Sequence, residues 1–251
     1  MNETLQTIHS LRTIHGNFSE RDVTADDLKT ILKACMHAAN ASARQSYSII
    51  VVEDRQTMAK LGYVGSKALI FCVDYNRIID AADYLGRPFH SRDIVSFITG
   101  GVDTVLASQT AAIAAKSLGI DSMFTNCIHR VPLKDVYALL NLPCENCFPL
   151  IELILGYPQA EPACQKGRLC GNGVIHYGQY HRLSSEELSG IVAEYDDREK
   201  HLGMIGNWDD LGFSHYLEWF YDKWCGKIPD EKQREFYSVL MNAGFLRKDI
   251  L

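Results

Sequence analysis

Apolar positions recur along this chain in two rhythms, and together they outline most of its elements. In 27–39, "DLKTILKACMHAA", Leu28, Ile31, Leu32 and Cys35 fall on one face at helical spacing. Thr24–Ala25–Asp26–Asp27 just ahead has the form of a capping box, hydroxyl and carboxylate reciprocally satisfying free amides. "YSIIVVE" (47–53) and "ALIFCVD" (68–74) are short β-branched and aromatic runs, expected as central strands. The stretch 102–118, "VDTVLASQTAAIAAKSL", is apolar nearly all round and rich in alanine. Such a helix is normally buried on every side, and its small side chains permit the close approach a subunit interface requires. Gly119 stops it. "SMFT" (122–125) and "LIELILGYP" (150–158) read as further strands, and "GVIHYGQY" (173–180) as another extended segment. Ser184–Ser185–Glu186–Glu187 opens a later helix by the same capping logic. The aromatic, amphipathic "HYLEWFYDKW" (215–224) is expected to pack onto the core.

No repeat, low-complexity tract or linker interrupts this pattern. The 251 residues are therefore read as one domain, with 196–251 as a helical C-terminal extension. The 31 acidic side chains outnumber the 25 basic ones, which argues against a nucleic-acid partner. The opening "MNETLQTIHSLRTIHGNF" lacks the continuous apolar core of a secretory signal. No apolar run approaches the roughly 20 residues that span a bilayer. The expectation is a cytoplasmic protein with no membrane partner.

Eight cysteines are many for this length. Cys35 and Cys72 sit in apolar patterns and read as buried thiols. Cys144 and Cys147 form a CxxC, and Cys164 and Cys170 a wider pair, in "CQKGRLCGNG" (164–173). Zinc ribbons prefer two tight pairs, so the expected metal set is none and the thiols are read as reduced. The nine histidines lack metal-ligand spacing; His176 and His181, five apart in the presumed strand, are placed on opposite faces. There is no GxSxG, HExxH, Walker A or strand-borne GxGxxG. Residue chemistry alone leaves a metal knuckle, a disulfide loop and an anion clamp open for the stretch 164–173.

Three stretches in order carry a resemblance. "LRTIHGNF" (11–18), the block 103–158 with its "LLNLP" turn and "LGYP" strand, and "KGRL" (166–169) resemble the FMN-dependent nitroreductase family, especially its larger NADPH-using branch. The resemblance covers about residues 5–200. It implies an α+β fold, a central mixed or antiparallel sheet wrapped by helices, in an intertwined homodimer with FMN at the subunit interface. It also implies transfer of electrons from NADPH or NADH to nitroaromatic, quinone or flavin acceptors by a ping-pong mechanism, with no catalytic side chain because the flavin carries the chemistry.

The same resemblance assigns cofactor contacts. Arg12 becomes a phosphate or ribityl ligand and Thr13 a hydroxyl donor. His15 stands where the family has a second arginine, and Leu11 where a polar or basic residue is usual. Asn40, Ala41 and Ser42 approach the flavin through backbone, with Gln45 beside them and Ala43 where asparagine is common. Asn126 and Cys127 replace a glycine pair that meets the ring. Lys166 and Arg168, two apart on an extended segment, bring a compact charge and a planar fork to the phosphate. Relatives that choose NADPH carry arginines around 199–208; here that segment holds Lys200 and His201. Two rival readings differ in class: a flavoprotein that binds FMN without turnover, as sensor or carrier, and a cysteine-based metal-binding module without flavin.

Overall fold

The computed structural model describes residues 1–171 and 173–247. In chain order the elements are α1 (Glu3–His9), α2 (Ala25–Cys35), β1 (Tyr47–Val52), α3 (Arg55–Leu61), β2 (Lys67–Asp74), α4 (Asn76–Tyr84), α5 (Ile94–Ser117) and β3 (Asp121–Thr125). They continue with α6 (Leu133–Leu140), β4 (Cys147–Gly156), α7 (Ser185–Asp196), α8 (Tyr216–Trp224) and α9 (Asp230–Asn242). Contacts divide the chain into two compact units, Met1–Glu161 with Asp230–Leu251, and Pro162–Pro229. The division falls at 162 and 230, whereas the pattern of residues suggested one domain with an extension from 196.

The first unit is built on a four-stranded sheet of order β1-β2-β4-β3, antiparallel at every pairing. β2 and β4 lie at its centre, which is why their sequences are nearly unbroken apolar runs. Successive side chains alternate between faces. Leu69, Phe71, Leu153 and Leu155 meet Ala107, Ala111, Ala112 and Ala115 of α5 on one face. Ala68, Ile70, Cys72 and Ile154 meet Met58 and Leu61 of α3 and Val136 and Tyr137 of α6 on the other. Glu152 breaks the apolar rule of β4: it is fully buried, and neither carboxylate oxygen has a hydrogen-bond partner. The α+β class and the central antiparallel sheet agree with expectation.

Several local expectations need correction. Thr24 does cap α2, accepting from the Asp27 amide at 3.1 Å, but the Asp27 carboxylate takes the Thr24 hydroxyl instead of an amide. The long helix starts at Ile94, capped by Asp93, eight residues before the alanine-rich stretch. Nor is it buried on every side within this chain: Val95, Ile98, Val102 and Val105 stand exposed, Ile98 at 60%.

In the second unit, α7 carries the full capping box, Ser184 and Glu187 exchanging both bonds. α8 buries Tyr216 and Trp219 in an aromatic cluster with Trp208, Tyr195 and Phe220. The segment 173–180 is not a strand. Gly173 and Gly178 take left-handed φ there, which turns the chain and leaves Tyr177 93% exposed. That turn also brings His176 and His181 together, their Nδ1 atoms 3.4 Å apart, where alternation along a strand had separated them. No helix among the described residues is long and apolar enough to cross a membrane.

Candidate functional site

The N-terminal motif lies along the margin of β3. Thr13 makes a parallel bridge to Ser122, and the Ile14 amide donates to the Ser122 carbonyl at 3.1 Å. Ile14 is buried, while Thr13 and His15 on either side of it are exposed. Leu11 closes the turn after α1, its amide donating to the Ile8 carbonyl. Arg12 makes a paired contact with Asp121: Nε donates at 3.0 Å and Nη2 at 2.6 Å to Oδ2. Its Nη1 donates to Glu161 at 2.7 Å. Lys116 joins from α5, 2.7 Å from Asp121. Burial alone would raise the Asp121 carboxyl, but Arg12 and Lys116 hold it below the usual range. The guanidinium expected on a phosphate is thus held by two carboxylates, one buried and one, Glu161, largely exposed.

The second stretch has unusual backbone. Ser42, Ala43 and Gln45 all take left-handed φ, at 53°, 54° and 49°. Non-glycine residues pay a conformational cost there and persist only where their surroundings over-determine them. The surroundings are identifiable. Asp103, buried on α5, accepts the Ala41 amide at 2.8 Å and the Ser46 amide at 3.3 Å. Arg77 donates to the carbonyls of Arg44 and Gln45, at 3.0 and 2.6 Å. Asn40 accepts from the Gln45 amide at 3.1 Å, and the Gln45 side chain donates to the Met36 carbonyl. Gly100 lets α5 pass close by, since a Cβ there would meet Val73 at 2.8 Å. Asp103 and Arg77 were not singled out from sequence; neither belongs to a local motif.

At the third stretch Asn126 has φ −106°, so no left-handed conformation is required where glycine was expected. Asn126 is exposed. Cys127 is buried against Gly62, whose φ of +120° and lack of Cβ permit the approach; a Cβ on Gly62 would come within 2.8 Å of the cysteine's. The Gly62 contact accounts for the burial of this thiol.

Lys166 and Arg168 are both exposed, and their heads go to different acceptors. Lys166 Nζ donates to the Gly203 carbonyl at 2.6 Å, whereas Arg168 Nη1 folds back on the carbonyls of Lys166 and Gly167 at 3.0 and 2.8 Å. Carbonyls hold both cations at present, and both remain at the surface. Between them Gly167 has a reason of its own. A Cβ there would sit 2.0 Å from the Lys200 carbonyl oxygen, and its amide donates to the His201 carbonyl. Asn172, between Gly171 and Gly173, lies outside the described residues. Beyond, Lys200 pairs with Glu194 at 3.3 Å. Arg198, one residue ahead of 199–208, pairs with Asp209 at 2.6 Å and lies over the Trp208 ring. Among the described residues no group of three or more His, Cys, Asp or Glu side chains is placed to hold a metal ion.

No family model matches the chain. Curated relatives do. An NADPH-flavin oxidoreductase of Vibrio harveyi is 30% identical over 197 residues, 75% of this chain and 79% of that protein. An oxygen-insensitive NADPH nitroreductase of Salmonella typhimurium is 29% identical over 207 residues, 79% of this chain and 81% of that one. Among solved structures, that of Bacillus megaterium NfrA2 superposes with a TM-score of 0.82 at 25% identity, covering 99% of this chain and all of that one. Sequence relatedness over three quarters of the chain and a shared fold over nearly all of it agree: the protein belongs to the nitroreductase and flavin reductase family.

Proposed function

We propose that this protein is an FMN-dependent oxidoreductase that takes electrons from NADPH or NADH and delivers them to nitroaromatic, quinone or flavin acceptors, donor and acceptor using one site in turn. The observation that carries the reading is the backbone at 40–46. Three left-handed non-glycine residues in four positions, pinned by a buried carboxylate and an arginine, are a cost that a ligand-lining loop explains. The donor set fits as well: exposed Lys166 and Arg168 suit a phosphate's charge.

When bound, FMN supplies hydride acceptance and electron transfer. The chain's part is to hold and orient it. Asn40, Ala41, Ser42 and Gln45 offer the pinned loop, with Asn126 and Cys127 as the second backbone stretch. Lys166 and Arg168 would hold the FMN phosphate, and Arg12, flanked by Leu11, Thr13 and His15, would serve as a phosphate or ribityl ligand. On donor choice, Arg198 and Lys200 each already face a carboxylate, which favours no preference for a 2′-phosphate.

The working unit is proposed to be a homodimer. Val95, Ile98, Val102 and Val105 along α5, and Leu5 and Ile8 of α1, are large apolar side chains left exposed, and a second copy of the chain would cover them.

Anaerobic titration of the purified protein with NADH and with NADPH, watching the visible flavin band, tests the reading. Bleaching by a nicotinamide and recovery on adding a quinone is the expected result. Bound FMN that neither donor bleaches would point instead to a sensor or carrier, and a colourless protein that takes up no FMN would overturn both.

A further inference from the structure

The turn that replaces the expected strand at 173–180 leaves two histidines facing one another at the surface of the second unit. Gly178, left-handed at φ 79°, turns the chain between them. The Nδ1 atoms of His176 and His181 stand 3.4 Å apart, with their ring planes at 80°. That is longer than the roughly 2.9–3.0 Å of a well-formed hydrogen bond. It matches the bite of a metal ion instead. With metal–nitrogen distances of about 2.0–2.1 Å and tetrahedral angles, two ligand nitrogens lie about 3.3–3.4 Å apart. Each ring also has a second neighbour. The Tyr180 ring lies against His176, centroids 4.6 Å apart, and Glu187 Oε1 is 3.5 Å from His181 Nε2. A carboxylate there favours a hydrogen on Nε2, which leaves Nδ1 of the neutral ring with its lone pair facing His176. Metal-bound histidines almost always offer their outer nitrogen to such an acceptor.

We propose that His176 and His181 chelate a divalent transition-metal ion, Zn²⁺ foremost, through both Nδ1 atoms, forming a surface clip across the turn. Imidazole suits zinc, nickel and copper, whereas magnesium and calcium take oxygen ligands. His176 now supplies the hydrogen between the two nitrogens. On binding it carries that hydrogen on Nε2, and both Nδ1 lone pairs face the ion. Among the described residues no third His, Cys, Asp or Glu joins them as a ligand, so water completes the shell. Glu187 acts from outside that shell, on the far side of the His181 ring. Its other oxygen accepts the Ser184 amide at 2.8 Å, which fixes the carboxylate at the start of α7. The ion would therefore tie the turn to α7 and stiffen the stretch that follows Lys166 and Arg168. The spacing of five gave no sign of this, because only the reversal at Gly178 brings the rings face to face.

The test is calorimetric titration of the purified full-length protein with zinc chloride, after exposed thiols such as Cys144, Cys170 and Cys225 have been blocked with iodoacetamide. One ion bound per chain is the expected result. His176→Gln and His181→Gln, both surface changes, should each abolish the uptake while the circular-dichroism spectrum stays that of the wild type. Glu187→Gln keeps a side chain able to close the capping box of α7 and should weaken zinc binding about tenfold or more. Chymotrypsin reads the clip itself, since it cuts after tyrosine and Tyr177 and Tyr180 are 93% and 76% exposed. Zinc should slow cutting at both in the wild type and leave it unchanged in His176→Gln. A wild type that takes up no zinc, uptake that survives in either histidine variant, or cutting that zinc does not slow would overturn the clip. Undiminished affinity in Glu187→Gln would overturn the part given to the carboxylate. None of these readouts needs bound flavin, so the result is independent of the function proposed above.

Discussion

The buried carboxylate of Asp103 accepts the backbone amide of Ala41 across 62 residues of chain, at 2.8 Å. A helix laid down for packing thereby dictates the conformation of a loop. Asp103→Ala strands the amides of Ala41 and Ser46 and should cost about 3–6 kcal/mol in urea unfolding, because hydrogen bonds to charged groups are worth about 1.5–3 kcal/mol each. FMN retention should fall with it. Wild-type stability and retention in this variant would detach Asp103 from the loop.

Ala43 holds a left-handed φ without the side chain that tolerates one. Ala43→Gly should therefore stabilise the protein by about 1 kcal/mol, and Ala43→Asn by a similar amount. Denaturation midpoints decide it; a loss of stability in both variants would show that the conformation carries no strain.

Lys166→Ala combined with Arg168→Ala should weaken FMN binding by about 3–6 kcal/mol, two charge-assisted bonds being lost. Gly167→Ala should also weaken it, since a methyl 2.0 Å from the Lys200 carbonyl must displace the segment carrying both cations. Undiminished yellow colour after desalting would remove this segment from the cofactor's surroundings.

Burial pushes Glu152 up to about 8 from an ordinary value near 4.5. The folded state keeps a proton that the unfolded chain has released, so stability is full below the lower value. It declines as pH rises towards 8 and then levels off, a loss of about 5 kcal/mol in all. Glu152→Gln removes the titration. Thermal midpoints measured between about pH 5.5 and 8.5 should fall less steeply in the variant, and parallel curves would refute the burial argument.

Val102→Asp on the exposed side of α5 should convert a dimer to monomer with folding intact, read by light scattering and circular dichroism. An unchanged oligomer would place the interface elsewhere.

The sheet was legible in the residues because β2 and β4 are buried on both faces and read as plain apolar runs. α5 was legible only from its alanines onward; "IVSFITGG" ahead of them is β-branched and glycine-bearing, and only packing against Tyr75 and Val73 makes it helix. The segment 173–180 misled for the opposite reason, valine, isoleucine and tyrosine suggesting a strand where glycines impose turns. The site divides in the same way. Motif residues could be named from local order, but their partners could not. Asp121 lies 109 residues from Arg12, and an aspartate inside an alanine-rich helix gives no local sign of its task.

The short bridge from Thr13 to Ser122 has a consequence for solubility. β3 is the last strand on its side, and a bare strand margin invites another chain to add to it. Here the peptide coming from α1 occupies part of that margin and spends the Ser122 carbonyl on Ile14. The N-terminal segment thus doubles as a built-in guard against fibrous self-association, and shortening it would expose a template for aggregation.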